Sequence, residues 1–305
     1  MRPPANLQNM FGTFAILLAA LLWGTTGTAA HFAPAVSPLA IGAFAMGVGG
    51  ILQALRCRHQ IRREYRQLLR HRNALIIGTI GIILYPLAFY SSMALAGVAI
   101  GNVVSIGVAP FAAALLERFF GRTNPITRTW ILSASLGALG IMLLAGAKGH
   151  ADGVDHDQFE RWLGIALGVV AASTYALYTW IGKRIMDDGV HGNAVVGSMF
   201  LMSSVVLLPT LVFTGGNLFD NSTHASVALY MAFVPMFIGY VAFAYGLRTV
   251  AASTATLLTL FEPVVAAVLA VTVVGESISQ LGWIGMGLIG VCLLLQSTRA
   301  QQAHA

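Results

Sequence analysis

Charge is scarce in this sequence. Only 9% of its 305 residues are Asp, Glu, Lys or Arg, against roughly a quarter in a soluble domain, which excludes a water-soluble fold with an ordinary surface. Cysteine is scarcer still. Cys57 and Cys292 cannot build a disulfide framework, and both are expected to be reduced and unpaired. There is no Walker A loop, no HExxH and no paired-cysteine pattern, so nucleotide-driven pumping and zinc chemistry have no motif to rest on; no cofactor and no metal are expected. The short alternating segments of a membrane β-barrel are absent too. Apolar residues are abundant instead, at 57%, with a mean hydropathy of +0.78.

A membrane-crossing helix needs about 20 apolar residues. Reading apolar runs between polar breaks predicts ten: 11–30, 38–55, 74–95, 98–117, 127–147, 162–182, 193–213, 226–247, 251–274 and 280–297. The fold expected is therefore all-α and integral to the lipid bilayer. The first run is too long for a signal-peptide core and is expected to be retained.

The net charge of +6 is arranged by topology rather than for nucleic acid. Seven of the 17 basic residues lie in "RCRHQIRREYRQLLRHRN", residues 56 to 73, read as a cytoplasmic loop. With both termini cytoplasmic, 15 of the 17 fall inside. Only Lys148 and Arg161 fall outside, in a loop dominated by Asp152, Asp155, Asp157 and Glu160. The positive-inside rule selects that orientation. The acidic stretch, with His150 and His156 beside it, reads as a solvated outer loop with no metal-ligand spacing.

The two halves repeat weakly but in order. "FGTFAILLAALLWG" (11–24) aligns with "LGIALGVVAASTYA" (163–176), "GVAPFAAALLERFFGR" (107–122) with "LFEPVVAAVLAVTVVGE" (260–276), and "GALGIMLL" (137–144) with "GLIGVCLL" (287–294). Trp23 then faces Tyr175 in register, Pro110 faces Pro263 and Gly121 faces Gly275. An odd number of spans per half inverts the second half in the membrane, a device of transporters. The expected organisation is a first five-helix repeat over 1–150, a second over 151–298, and a cytoplasmic tail over 299–305.

These features resemble the drug/metabolite transporter superfamily, in its ten-helix EamA-type members. The carrying residues are "LLWGTTG" (21–27), "VAPFAAALLE" (108–117) and "TLFEPVVAAVLAVTVVGE" (259–276). The resemblance implies a central cavity between the halves, lined mainly by spans 1, 3, 4, 6, 8 and 9, and alternating access, usually for export. Many members carry an Arg early in the second span; "PLAIGAFAMGVGGILQAL" (38–55) has none, so no role for that Arg transfers.

Glu262 is the sharpest candidate. It stands about eleven residues from either end of its span, near the bilayer midplane at ~1.5 Å rise per residue, where an unpaired charge is costly. Two readings stand side by side. In one it carries protons or forms an anionic pole for substrate. In the other its side chain bonds a backbone group freed by Pro263 and holds a kink. Pro110 and Pro263 are expected to break the fourth and ninth helices. Ala109 matches Glu262 across the repeat, with Ser105 and Asn102 earlier on that helix; these two bind substrate or join helices. Trp23, Tyr85, Tyr90, Tyr175, Tyr178 and Tyr245 are candidates for an aromatic cavity wall able to take apolar or cationic groups. Trp180 and Tyr240, nearer predicted span ends, read as an interfacial belt or ordinary packing. Glu117 reads as a solvated pair with Arg118, His31 as an end cap, and Arg248 as facing the cytoplasm.

The function expected is secondary transport across a bacterial inner membrane. Its direction is outward, and its cargo a small neutral, zwitterionic or cationic solute such as an amino acid, amine or drug. One central acid and no mid-span Lys or Arg disfavour sugar phosphates. Protons are the candidate coupling ion. The alternatives are an ion-independent facilitator with a structural Glu262 and, from another class, a non-transporting membrane enzyme or assembly factor. The oligomeric state is left open.

Overall fold

The computed structural model describes residues 5–121, 126–146, 158–275 and 277–302. The 150/151 repeat boundary, Glu276 and most of the acidic stretch with its two histidines lie outside them. Helices follow the apolar runs. α1 (Ala5–Gly24) and α2 (Thr26–His31) are followed by α3 (Pro38–Arg63), α4 (Tyr65–Arg70) and α5 (Arg72–Ala96). Next come α6 (Val98–Gly107), α7 (Ala109–Phe120), α8 (Arg128–Gly146), α9 (Gln158–Asp187) and α10 (Gly192–Thr214). α11 (Ser222–Met231) and α12 (Tyr240–Leu247) flank a π-helical stretch, π1 (Ala232–Gly239). α13 (Ala252–Leu258), α14 (Phe261–Leu269), π2 (Ala270–Val274) and α15 (Gln280–Gln302) complete the chain. No strand occurs among the described residues.

Nine helical segments among the described residues are long and apolar enough to cross a bilayer. The tenth predicted run falls on α15, whose apolar part, Gln280–Gln296, is shorter. The protein is thus a multi-pass membrane protein. The expected loop at 56–73 is largely helical, because it has no Gly or Pro and is rich in the good helix formers Arg, Gln and Leu; only Glu64 and His71 interrupt it. The tail predicted from 299 likewise continues as helix to Gln302.

Packing runs between the two halves of the chain. The closest pairs are α3 with α10, α5 with α9 and α8 with α15, followed by α1 with α12 and α14, and by α7 with α9 and α13. Lipid supplies no hydrophobic drive for helix association, so close approach rests on small residues. A Cβ on Gly50 would lie 2.6 Å from the Phe200 carbonyl oxygen, and beside it Ser204 Oγ donates to Gly47 O at 2.8 Å. Gly140 and Gly285 bring the backbones of α8 and α15 together in the same way.

Candidate functional site

Four interruptions of helix surround the centre of the bundle. α6 ends at Gly107 and α7 restarts at Ala109, with Pro110 in its first turn. α13 ends at Leu258 and α14 restarts at Phe261, with Pro263 as its third residue. Proline has no N–H to offer the carbonyl four residues back. For Pro263 that carbonyl belongs to Thr259, and the Glu262 main-chain N–H takes it instead, at 2.9 Å. The Glu262 carboxylate itself accepts no hydrogen bond from any described residue, so the kink is closed by its backbone and not its side chain.

The other two interruptions are the turn at Thr25 and π1, which contains Pro235. Carbonyls of π1 are bonded by side chains from neighbouring helices. Trp23 Nε1 donates to Pro235 O at 3.0 Å and Gln53 Nε2 to Phe237 O at 2.8 Å. Single π turns inside helices often mark functional sites.

Between these interruptions lies a cavity with about 680 Å³ of space between atoms, open solvent included. Trp23, Tyr85, Tyr90, Tyr175, Tyr178 and Glu262, all singled out from the sequence, meet on its walls. Glu262 is partly buried and, among the described residues, is the one Asp, Glu, Lys, Arg or His in the lining. The aromatic rings touch one another: Tyr85 and Tyr175 at 5.5 Å, Tyr175 and Tyr178 at 5.4 Å, Phe89 and Tyr90 at 5.3 Å between centroids. The Thr259 hydroxyl donates to Thr256 O, so Tyr175 is the donor in its 3.2 Å bond to Thr259. A carboxylate with no protein partner among aromatic faces suits a cationic group, by charge and by cation–π attraction.

Other sequence candidates lie elsewhere. Tyr245 is 48% exposed, outside the lining, with the Arg248 guanidinium 5.8 Å from its ring. Asn102 and Ser105 are on α6 but do not line the cavity; Ile106 does. The Asn102 Oδ1 and Ser105 Oγ atoms are buried without a hydrogen-bond partner among the described residues.

Two expectations are corrected. Tyr240 is not an interfacial residue: it is 4% exposed, lines the cavity, stacks 4.9 Å from Trp23 and shares a 2.8 Å hydrogen bond with the Tyr178 hydroxyl. Trp180 takes the packing alternative of its reading, buried against Phe120 and the Arg184 guanidinium, because α9 runs on to Asp187. Glu117 does not pair with exposed Arg118, since adjacent residues on a helix point apart. It is 5% exposed and accepts hydrogen bonds from the main-chain N–H and the hydroxyl of Ser253 on α13.

The second span also lines the cavity, through Gly42, Ala45 and Met46, which the expected set of spans omitted. Its cavity-lining residues are small or aliphatic, so a spacing of small residues was the only signal. Gly42 has a steric reason: a Cβ there would fall 2.4 Å from Tyr90 Cε2. Gly42→Ala is expected to push the Tyr90 ring into the cavity and weaken ligand binding by about 1 kcal/mol, roughly fivefold. Titration of any cavity ligand against both proteins checks this.

The EamA-like transporter family matches the chain twice, over residues 10–146 and 162–298. A relative from Bacillus subtilis (strain 168), named "Uncharacterized transporter YwfM", is 30% identical over 290 residues, 95% of this chain and 94% of that protein. The threonine/homoserine exporter RhtA of Escherichia coli (strain K12) is 24% identical over 217 residues, 67% of this chain and 68% of its own. A solved crystal structure 19% identical to the chain covers 96% of it, and 99% of its own length, with a TM-score of 0.78, and shares the fold.

Proposed function

Because this chain belongs to the EamA-like transporter family, we propose that it is a secondary transporter that exports a small cationic, zwitterionic or neutral metabolite by alternating access. The observation carrying this reading is the cavity between the halves, where Glu262, the one Asp, Glu, Lys, Arg or His of the lining among the described residues, sits inside a ring of aromatic side chains. An amine or amino acid presents an ammonium to the carboxylate and a carbon skeleton to the rings. A relative named as a threonine/homoserine exporter supports the zwitterionic branch of this class. Among the described residues, multiply charged anions meet no Lys or Arg in the lining.

The inverted repeat supplies the motion. In the proposed register, spans 2 and 7, 4 and 9, and 5 and 10 each pack on their own counterpart, while 1 with 8 and 6 with 3 exchange roles. Such a pattern supports two halves able to swap packing and open either end. The charge distribution supports a bacterial inner membrane with both termini cytoplasmic. Protons are the coupling ion we favour, since the cavity's one carboxylate can hold either a proton or a cationic solute.

The test is a thermal-shift screen on purified protein with amino acids, amines, lipophilic cations and sugar phosphates, comparing wild type with Glu262→Gln. A cationic or zwitterionic hit lost in the variant supports the reading. A sugar phosphate as the best ligand overturns the electrostatic argument.

A further inference from the structure

The cavity reading leaves one buried acid unused. Glu117 lies near the C-terminal end of α7, the second piece of the broken fourth span, and Ser253 lies in the first turn of α13, the first piece of the broken ninth. The carboxylate takes the Ser253 N–H at 3.1 Å and the Ser253 hydroxyl. It thereby satisfies a first-turn N–H that the helix leaves unpaired, with the helix dipole in its favour. Lys183 of α9, itself paired with Asp187, is within electrostatic reach. Both partners sit on the side of the bundle that carries the Arg segment 56–72. Ser253 lies six residues below Thr259, about 9 Å along the helix axis, so the pair closes the bundle beneath the cavity floor.

Among the described residues the opposite side has no such pair. In the register that aligns Pro110 with Pro263, Glu117 corresponds to Ala270 and Ser253 to Ile100; neither side chain can hydrogen-bond. The fourth and ninth spans are therefore held together by a polar pair at the Arg-bearing end, through α7 and α13, whereas α6 and α14 do not form a closely packed pair at the other end. The cavity lining agrees with this asymmetry. Thr26, Gly42, Ala45 and Tyr90 lie toward the face opposite the Arg segment.

Resting on the alternating-access reading, we propose that Glu117 is the gating residue of the Arg-bearing face: its bonds to Ser253 hold α7 against α13, and their exchange for water is the step that opens the cavity to that side. When the helices part, water replaces both bonds to a carboxylate that burial would otherwise leave unsatisfied. Opening there is a switch between two satisfied states rather than a gradual loosening.

Thr256, buried on α13 between the latch and the cavity floor, reports on the gate. Thr256→Cys is made in a chain with Cys57→Ala and Cys292→Ala, and a membrane-impermeant maleimide is applied from each face of vesicles; Arg66→Cys, at an exposed position, marks the Arg-bearing face. Glu117→Ala is expected to speed labelling from the Arg-bearing face at least about tenfold and to leave the other face unchanged. Ser253→Ala, which keeps the N–H bond, is expected to give a smaller rise on the same face. A labelling rate within twofold of the parent from the Arg-bearing face overturns the proposal. Should Glu117→Ala fail to fold, the milder Glu117→Gln and Ser253→Ala decide by the same criterion. Unchanged labelling with solute flux intact removes the gate and keeps the transporter reading. Faster labelling with no flux of any solute keeps the gate and removes that reading.

Discussion

A Glu262→Gln variant is expected to bind a cationic or zwitterionic ligand at least about tenfold more weakly than wild type while melting close to it. Glutamine keeps the shape and one acceptor oxygen but removes the charge. A hydrogen bond to a charged group contributes about 1.5–3 kcal/mol, and 1.4 kcal/mol is tenfold in affinity. No described residue hydrogen-bonds the carboxylate, and the carbonyl that Pro263 leaves unpaired is taken by the Glu262 N–H, which the substitution preserves. Loss of binding with an unchanged melting point therefore places the carboxylate in the site. The opposite pattern, a large fall in melting temperature with ligand binding intact, assigns Glu262 to the helix break. Flux measured across a pH series separates the two transport modes: a carboxylate that exchanges a proton for solute makes flux depend on pH, whereas flux indifferent to pH selects the ion-independent facilitator.

Gly285→Leu is expected to cost about 1–3 kcal/mol or more and to leave little protein in a monodisperse peak. A Cβ on Gly285 would lie 2.5 Å from the Gly140 carbonyl oxygen, and one on Gly140 would lie 2.7 Å from the Gly285 carbonyl oxygen. The obstacle on each side is backbone, so no rotamer change relieves the clash and the helices α8 and α15 must separate. Gly287 is the control. It is exposed on the same helix and has nothing within 4 Å of its Cβ position, so Gly287→Leu is expected to melt within about 1 °C of wild type. Equal losses in the two variants would mean that helix propensity or lipid contact, rather than the α8–α15 approach, sets stability there.

Single residues show how much of the site is legible in the sequence. Glu262 stands out because an acid is expensive in hydrocarbon at any point of a helix, whatever that helix packs against. Tyr175 and Tyr178, three apart, share a face, and both line the cavity. Tyr240 is misplaced for the complementary reason. In a run that is apolar all round, periodicity does not say which face turns inward, and depth along the run is a poor substitute. Adjacency points Glu117 to Arg118, but the partner that claims it is Ser253, 136 residues away on another helix.

The sequence by itself determined the material of this protein: helices that bury their own hydrogen bonds, their number to within the short last one, the sites where proline interrupts them, and a central acid. Those follow from composition and local chemistry, because in a bilayer a segment must satisfy its backbone internally. The tertiary structure alone decided which faces meet. Gly42 admits the Tyr90 ring, Trp23 bonds a carbonyl of π1, and Glu117 finds α13. These depend on interhelical distance and rotation, which small residues and single hydrogen bonds set between helices far apart in the chain.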